Sequence, residues 1–214
     1  LPQWQFQSIH IAGTNGKGSV ASMLNSILME SGMLTGLYTS PHLLSFTERI
    51  RVKGKEIPEK EVVKFVAQHQ DKIENISPSF FELTVGMAFD YFAKRNVDIA
   101  VIETGLGGRL DSTNIISPEI SIITNISLDH QSLLGDTLEQ IATEKAGIIK
   151  KFTPLVVGAD QEASMPVFLA KAGVVEAPLF CAEHRFLCRL KKWEANRQLI
   201  EIYDQEVEES REYW

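Results

Sequence analysis

Short apolar runs of strand length alternate with helical stretches along most of this chain. The runs that predict strands are Ser8 to Ala12, Gly36 to Thr39, Val97 to Glu103, Ile120 to Thr124 and Pro154 to Gly158. Apolar residues at helical spacing predict helices over Lys17–Glu30, Pro58–Asn75, Phe80–Arg95, Thr137–Ile149 and Ala163–Ala172. This alternation is typical of βαβ units. We therefore expect an α/β fold with a mostly parallel sheet flanked by helices.

The pattern changes after about Pro178. Phe186, Cys188 and Leu190 alternate with polar residues, and a second apolar run follows the polar turn at 194–196. Such alternation predicts an antiparallel β-hairpin added to the parallel sheet, over about residues 179–204. The acidic stretch 206–212 is compatible with either a helix or a frayed tail. We thus expect a core at 8–175 and a small antiparallel β addition near the C-terminus.

The first apolar run opens into a glycine-rich turn, Gly13-Thr14-Asn15-Gly16-Lys17-Gly18-Ser19. In such a turn several backbone N–H groups point into one concavity, and the helix that follows adds the positive end of its dipole. Polyphosphate suits this environment, and Lys17 would reach its terminal phosphates. The strict P-loop pattern has glycine where Ile11 stands and a hydroxyl residue where Gly18 stands. Taken alone, the turn is therefore also compatible with an ordinary strand-to-helix loop.

Polar residues lie at the carboxyl ends of the other predicted strands. Ser40 follows the second strand, Glu103 closes the third, and His130 comes after the fourth. Ligands of open α/β sheets bind beyond these strand ends, so we expect the loops to converge on one site. A hydroxyl, a carboxylate and an imidazole beside a phosphate loop suit a Mg²⁺ ion, although imidazole is the less usual ligand.

Other candidate residues point to structural roles. His10 within a strand and His69 on an apolar helix face are interpreted as structural histidines whose hydrogen bonds are satisfied, whereas His42 and His184 stay undecided. The glycines at 105, 107 and 108 are too closely spaced for a dinucleotide fingerprint. We interpret them as a turn that lets a substrate approach the backbone.

Composition narrows the class of protein further. The formal net charge is -7 and the isoelectric point is about 5.3, so there is no excess of basic residues to hold a nucleic acid. Two cysteines, Cys181 and Cys188, make neither a disulfide framework nor a zinc site, which fits a reducing compartment. The chain has no apolar run of membrane-spanning length and no signal-peptide pattern. We expect a cytoplasmic protein that binds neither nucleic acid nor membrane.

Five motifs together resemble the folylpolyglutamate synthase and dihydrofolate synthase family, within the Mur ligase superfamily. They are GTNGKGS at 13–19, YTSPHL at 38–43, FFELT at 80–84, VIETGLGGRLDSTN at 101–114 and LDHQSLLGDTLEQIATEKAGIIK at 128–150. The motifs occur in order over roughly residues 8–160, and the short phosphate loop is the form that this family uses. Asp129-His130-Gln131 and the run at 108–111 favour the bifunctional bacterial type.

The resemblance implies the P-loop NTPase-like fold of the Mur ligase central domain. It also implies an ATP-dependent ligase of folate biosynthesis and polyglutamylation. ATP would phosphorylate a carboxylate of dihydropteroate or of a folyl-polyglutamate, and the amine of L-glutamate would attack the acyl phosphate. By similarity, ATP would be held by Gly13, Thr14, Asn15, Gly16, Lys17, Gly18 and Ser19. Mg²⁺ would be held by Ser40, Glu103, His130 and Lys145, of which Lys145 matches a lysine that becomes carbamylated. The pterin substrate would contact Ser79, Phe80, Phe81, Glu82, Leu110, Asp111 and Ser112, and the catalytic residues would be Lys17, Lys145 and His130.

The resemblance also implies how the chain relates to a whole enzyme. Residues 1–214 would be the central ATPase domain, and a pterin-binding N-terminal segment and a C-terminal domain would lie outside them. We therefore expect this chain alone to bind ATP weakly and to ligate nothing, and the enzyme to be a monomer that acts on small molecules.

Two alternatives stay open. One is another Mur-type ligase, such as a peptidoglycan-precursor ligase; the TSPH and GLGGRLDSTN runs favour the folate reading over it. The other is a non-catalytic nucleotide-binding module, and the joint presence of Ser40, Glu103, His130 and Lys145 counts against that reading.

Overall fold

The computed structural model describes residues 1–214 and has an eight-stranded sheet at its centre. Its strands are β1 Gln7–Ala12, β2 Thr35–Tyr38, β3 Ile50–Val52, β4 Lys55–Glu56, β5 Ile99–Glu103, β6 Ile120–Ile123, β7 Leu155–Val157 and β8 Leu179–Cys181. They lie in the order β4-β3-β2-β5-β1-β6-β7-β8. The neighbouring strands β2, β5, β1, β6, β7 and β8 all run parallel. At one edge of the sheet, β3 pairs antiparallel with β2 and β4 pairs antiparallel with β3. The predicted mostly parallel sheet is confirmed.

Helices connect these strands and cover the sheet. They are α1 Lys17–Glu30, α2 Glu59–Ile76, α3 Phe80–Lys94, α4 Gln131–Leu134, α5 Leu138–Lys145, α6 Met165–Val174 and α7 Ala182–Arg185. Short 3-10 turns occur at Pro2–Trp4, Phe46–Arg49, Ser112–Ile115 and Ala146–Ile148. The helix predicted over 137–149 is thus shorter, because its last residues tighten into a 3-10 turn. None of the helices combines the length and apolar character that crossing a bilayer requires.

Local sequence determines where α3 and α5 begin. The Ser79 hydroxyl accepts from the backbone N–H of Glu82, and the Glu82 carboxylate accepts from the backbone N–H of Ser79. Thr137 and Gln140 make the same reciprocal pair at the start of α5. Each capping box satisfies N–H groups that the helix itself leaves without partners. The positions of α3 and α5 are therefore fixed close to the loops that they follow.

Apolar side chains on both sides of the sheet hold the helices against it. One cluster packs α2 and α3 on β2, β3 and β5, with Phe89 and Phe92 at its centre. A second packs α5 and α6 on β6 and β7, and a smaller one packs α1 on β1 and β5. Burying one such side chain stabilises the fold by about 1.5–3 kcal/mol. Strand β1 lies between these layers, so the loop at its end starts from a rigid support.

The C-terminal residues form a separate three-stranded antiparallel sheet. Its strands are β9 Phe186–Glu194, β10 Arg197–Asp204 and β11 Glu209–Tyr213, in the order β11-β10-β9. The predicted antiparallel addition is therefore present, but two details differ. Residues 179–181 pair in parallel with β7 and belong to the main sheet, and residues 209–213 form a strand rather than a helix or a tail. Because β11 pairs through its backbone with β10, it needs no alternation of apolar residues.

Candidate functional site

The loop after β1 is fastened to the loop after β6. The backbone N–H of Thr14 donates to the carbonyl oxygen of Asn125 at 2.8 Å, and that of Asn15 donates to the Asn125 side-chain oxygen at 3.0 Å. The Thr124 hydroxyl donates to the carbonyl oxygen of Asn15 at 2.7 Å. At Gly13 the φ angle is +145°, and a Cβ would lie 1.9 Å from Thr124 Oγ1, so only glycine allows the two loops to approach this closely.

This loop leads directly into α1. Gly16 has a φ of +82° and precedes the first helical residue, Lys17. The seven residues predicted to hold ATP are therefore all in the loop and the first turn of α1, where backbone N–H groups without helical partners favour anions.

Two lysines meet at this loop from different elements. Lys17 Nζ donates to the carbonyl oxygen of Gly13 at 3.0 Å and to that of Thr14 at 3.2 Å. Lys145, at the end of α5, donates to the same Gly13 oxygen at 2.8 Å. Burial and then the charge of Lys17 lower the pKa of Lys145 to about 8. The predicted residues Lys17 and Lys145 are thus brought together, and Lys145 is unusually ready to lose a proton.

Glu103 supplies a buried carboxylate next to the loop. It ends β5 and is only 4% exposed, and its Oε2 atom accepts from the backbone N–H of Ser40 at 3.2 Å. A Cβ at Gly18 would lie 3.6 Å from the same oxygen, so the first turn of α1 passes beside the carboxylate. Burial raises the pKa of Glu103, while the Ser40 hydrogen bond and the charge of Lys17 lower it. A cation placed here would favour the ionised form of Glu103.

Glu103 and Ser40 meet part of what a magnesium ion requires of its ligands. Mg²⁺ uses few protein oxygens and keeps water and phosphate oxygens for the remainder of its shell. Glu103 offers a buried carboxylate, and Ser40, whose backbone N–H donates to it, also carries a hydroxyl. No group of three or more His, Cys, Asp or Glu side chains is arranged to hold a metal. Water and phosphate oxygens would complete the shell of an ion at Glu103.

His130 lies on the loop after β6, next to Asp129. It has a φ of +48° and stands just before α4, and its side chain is 57% exposed. The Nε2 atom lies 3.7 Å from a carboxylate oxygen of Asp129. The role of His130 as a metal ligand and catalytic residue therefore stays a prediction from the family resemblance.

A cavity of about 570 Å³ lies beyond the carboxyl ends of β2 and β5, and Ser40, which donates to Glu103, is part of its wall. Its walls come from the loops after β2 and β5 and from α3, α4 and α5. Fourteen residues line it: Ser40, Pro41, Arg49, Phe81, Gly105, Leu106, Gly107, Gly108, Leu110, Asp111, Ser112, Leu133, Leu134 and Glu144. This volume accommodates a small organic ligand.

The predicted substrate residues divide into two groups. Phe81, Leu110, Asp111 and Ser112 line the cavity, and Phe81 packs closely under Gly105. Ser79, Phe80 and Glu82 lie at the start of α3 outside the lining, and the polar groups of Ser79 and Glu82 serve the capping box. Substrate contact by this second group stays a prediction, since their hydrogen bonds already have a structural use.

Sequence reasoning missed Arg49. It is 9% exposed and lines the cavity, its Nε donates to Nδ1 of His42 at 2.7 Å, and its guanidinium lies 5.5 Å from the centre of the Phe80 ring. No acidic side chain forms an ion pair with it. A nearly buried cation without an anionic partner is costly, which indicates that a ligand supplies the anion. In the sequence Arg49 merely precedes the short run Ile50-Arg51-Val52, which carries no motif of a binding site.

The segment that carries His42 is held in shape by Glu48. Its carboxylate accepts the backbone N–H groups of Leu43, Leu44 and Ser45 at 2.9, 2.8 and 2.6 Å. These three bonds lower the pKa of Glu48 to about 2. The loop after β2 therefore has a defined conformation beside the cavity, even though Leu43 and Leu44 are exposed.

A mostly parallel sheet carries a glycine-rich loop, a buried carboxylate and an adjoining cavity, a combination that is typical of α/β proteins that bind nucleotides. The chain belongs to the Mur ligase middle domain family, whose family model matches residues 11–177. This confirms the superfamily to which the motifs pointed.

Comparison with individual relatives shows which family of the superfamily the chain resembles. The chain is 41% identical over 184 residues to a dihydrofolate synthase/folylpolyglutamate synthase of Bacillus subtilis, which covers 83% of this chain and 43% of that protein. Its structure is similar to that of a folylpolyglutamate synthase (FPGS) of Thermotoga maritima, with 39% identity, a TM-score of 0.89 and coverage of 99% of this chain and 49% of the other. It is equally similar to an FPGS in complex with AMPPCP and folate, with 39% identity, a TM-score of 0.88 and coverage of 96% and 52%. The predicted family is confirmed, and the chain spans about half the length of these relatives.

Proposed function

We propose that this chain is the ATP-binding half of a ligase that adds L-glutamate to dihydropteroate or to a folyl-polyglutamate through an acyl phosphate. The family membership and the similarity to a bifunctional Bacillus subtilis enzyme support this proposal. So does the similarity to an FPGS that binds AMPPCP and folate together.

The observation that carries the proposal is the position of Ser40. Its backbone N–H donates to Glu103 beside the phosphate loop, and the same residue lines the neighbouring cavity. A carboxylic acid in the cavity and the terminal phosphate of ATP on the loop would therefore meet at Ser40. Bringing these two anions together in a reactive orientation is most of what formation of an acyl phosphate requires.

The charges of the loop suit this encounter. Two anions repel each other, so the site must supply positive charge where they approach. Lys17 lies at the helix N-terminus and would turn from the carbonyl oxygens of Gly13 and Thr14 towards the phosphate. Bound Mg²⁺, held by Glu103 and Ser40, would add further positive charge to the phosphate oxygens. No nucleophilic side chain is required, because the substrate carboxylate and the glutamate amine form the bonds.

We infer that Lys145 is carbamylated in the active protein. Only an unprotonated amine can add to CO₂, and a pKa of about 8 leaves a substantial unprotonated fraction at neutral to mildly alkaline pH. The nitrogen would bond to the carbon of CO₂ and lose a proton, and the remaining N–H could still donate to Gly13. The product is an anion in place of a cation, which would attract a metal ion rather than repel it.

The cavity would hold the pterin-bearing acid. Phe81 and the glycine-rich wall at 105–108 provide apolar and backbone surfaces, and Arg49 provides a cation without an ion-pair partner. We propose that Arg49 offsets part of the negative charge of the bound acid.

The proposed enzyme acts on small molecules, as a monomer in the cytoplasm, without nucleic acid or membrane. Its acidic composition counts against binding of nucleic acid, and its two free cysteines fit a reducing compartment. Because the chain spans about half of its relatives' length, ligation is proposed for the whole protein and weak binding of ATP for this chain.

The test is calorimetry with AMPPCP and Mg²⁺ on this chain, followed by ligation assays on the full-length protein. We expect Lys17→Ala to abolish measurable AMPPCP binding, and Lys151→Ala, at a solvent-exposed position, to leave it unchanged. The full-length protein should ligate glutamate to dihydropteroate or tetrahydrofolate. AMPPCP binding with ligation only of other acids would favour another Mur-type ligase, whereas binding without any ligation would favour a nucleotide-binding module.

A further inference from the structure

A chain of hydrogen bonds runs from the middle of the sheet to the wall of the cavity. His10, in β1, is completely buried, and its Nε2 atom lies 2.8 Å from the hydroxyl oxygen of Thr113. The Thr113 hydroxyl in turn donates to Oδ1 of Asp111, which also accepts the backbone N–H of Thr113 at 2.9 Å. The three side chains connect a strand to a loop that lies about one hundred residues further along the chain.

The direction of each hydrogen bond follows from its partners. An ionised carboxylate only accepts, so the single hydroxyl proton of Thr113 must point to Asp111. The Thr113 oxygen is then left as an acceptor, and His10 must donate from Nε2. Burial lowers the pKa of His10 to about 3, which keeps the ring neutral and its Nδ1 unprotonated. Because Nδ1 has no hydrogen-bond partner, the bond to Thr113 is the one polar contact of the ring.

Asp111, at the other end of this series of hydrogen bonds, holds the cavity wall. Oδ2 of Asp111 accepts the backbone N–H groups of Gly105 and Leu106, each at 2.9 Å, and both residues line the cavity. The wall has little freedom to move inward, since a Cβ at Gly105 would lie 2.3 Å from the Phe81 ring. Both carboxylate oxygens of Asp111 are thus engaged in building the loop.

We propose that His10 is a positioning residue that holds the Gly105–Leu106 wall in place through Thr113 and Asp111, and so determines the affinity for the acid in the cavity. The second part rests on the proposed function. Burying an imidazole with one unpaired nitrogen costs free energy that a purely apolar residue in β1 would avoid. The donor at Nε2 is what an apolar residue would lack. Since β1 also leads into the phosphate loop, the same strand would align the cavity wall with the phosphate loop.

Amide hydrogen exchange on this chain tests the positioning role without any ligand. His10→Phe keeps a buried ring but removes the donor, whereas His10→Gln keeps an N–H donor. Thr113→Val removes the hydroxyl at nearly constant shape, and Thr113→Ser keeps it. We expect His10→Phe and Thr113→Val to speed exchange at Gly105 and Leu106 by about tenfold or more beyond any change at Ile122 and Ile123 in β6. The two conservative variants should stay within about threefold of the unmodified chain.

The comparison with β6 distinguishes positioning from general destabilisation. A loss of global stability would speed exchange at the wall and in β6 alike. Equal acceleration at both places, or failure of the two conservative variants to restore protection, would overturn the proposal. If His10→Phe does not fold, the Thr113 pair gives the same test from the other end of the hydrogen bond.

A binding experiment then tests the effect on the ligand, with folate and AMPPCP as separate probes in the full-length protein. We expect the Kd for folate to rise about tenfold in His10→Phe and in Thr113→Val, and the Kd for AMPPCP to stay within about twofold. Equal weakening of both probes would overturn the link between His10 and the cavity ligand. If folate binds to none of the proteins, the proposed function fails, while the exchange experiment still decides whether His10 positions the wall.

Discussion

Lys17 and Lys145 donate hydrogen bonds to one carbonyl oxygen, that of Gly13, at 3.0 and 2.8 Å. A carbonyl oxygen has two lone pairs and can accept both, but the arrangement places two like charges close together. Lys145 is almost completely buried and Lys17 is not, so the electrostatic cost falls mainly on Lys145. The protonation of Lys145 is therefore coupled to the charge of the lysine that would contact phosphate.

This coupling predicts how one lysine responds to the loss of the other. Lys17→Met removes the second-largest cause of the lowered pKa of Lys145, while burial, the largest cause, remains. The pKa of Lys145 should rise above about 8 but stay below its ordinary value of 10.5. NMR titration of lysines labelled at Cε measures this, with Lys150→Met as a control at another half-buried lysine. An unchanged titration midpoint for Lys145 in Lys17→Met would contradict the coupling.

The lowered pKa of Lys145 also predicts a pH dependence of stability. Between about pH 8 and pH 10.5 the unfolded chain holds a proton that the folded chain has released. The free energy of unfolding should therefore rise with pH across that window because of this group. Lys145→Met removes this component, so the advantage of the unmodified chain over the variant should grow by about 1–3 kcal/mol between pH 7.5 and 10.5. Urea unfolding at both pH values measures the difference, and parallel pH profiles for the two proteins would refute it.

The close approach of the two loops predicts a difference between two glycines. Gly13→Ala would drive a Cβ into Thr124, whereas a Cβ at Gly16 meets nothing within 4 Å. Both positions have a positive φ, so each substitution carries a backbone cost of about 1 kcal/mol. Gly13→Ala should cost at least about 2 kcal/mol more than that, because the loops must separate. Chemical denaturation of both variants measures the gap.

A second substitution at Thr124, the residue that the new Cβ would contact, provides the control for this prediction. Thr124→Ala removes the hydroxyl that the new Cβ would strike, so it should recover part of the loss in Gly13→Ala. Equal stabilities for the two glycine variants would show that the loops are not held as closely as the structure indicates.

Much of the fold and part of the site could be predicted because the signals are local. Strand β1, its glycine turn and α1 follow one another within 24 residues, from Gln7 to Glu30, and each has its own pattern of residue types. Glu103 was recognisable because a carboxylate ending a buried apolar strand is costly without a function. The convergence of loops at the carboxyl ends of parallel strands placed Ser40 near it, and the structure joins the two by a hydrogen bond.

The remainder depends on contacts that no local pattern encodes. His10 reaches Thr113 across 103 positions in the chain, and no sequence pattern pairs the two residues. The expectation that its hydrogen bonds are satisfied was correct for Nε2 and wrong for Nδ1. Arg49 acquires its importance only from the cavity that folds around it. Strand β11 was missed because pairing with β10, rather than alternation of apolar residues, makes it a strand.

The capping box at α3 predicts that two substitutions of Ser79 will behave differently. Ser79→Ala should lower the free energy of unfolding by about 1 kcal/mol, because the N–H of Glu82 loses its acceptor. Ser79→Gly should cost only a few tenths of a kcal/mol, roughly as glycine does at other helix N-caps. Thermal and urea unfolding measure this difference in stability. A folate titration of the full-length variants measures whether Ser79 also affects substrate affinity. A loss of folate affinity in both variants at unchanged α3 stability would assign the Ser79 side chain to the substrate.

Arg49 yields the most direct prediction for the cavity. Its guanidinium faces the cavity without an ion-pair partner, so Arg49→Met should weaken folate binding in the full-length protein. A hydrogen bond to a charged group contributes about 1.5–3 kcal/mol, which corresponds to roughly 10- to 150-fold in Kd. Arg49→Lys should weaken folate binding less than Arg49→Met does, because lysine retains the charge but not the planar arrangement of donors. AMPPCP affinity should not change, since Arg49 has no contact with the phosphate loop.

The matched control for Arg49 lies two residues away. Arg51 pairs with Glu56 at 3.5 Å on the edge of the sheet and does not line the cavity, so Arg51→Met should leave folate binding unchanged. Calorimetry on the three variants separates a local charge effect from a general one. If Arg49→Met and Arg51→Met weaken folate binding equally, the effect is on net charge rather than on the cavity. If neither variant does so, the cation at Arg49 serves the packing of Phe80 and His42, and another group must meet the acid.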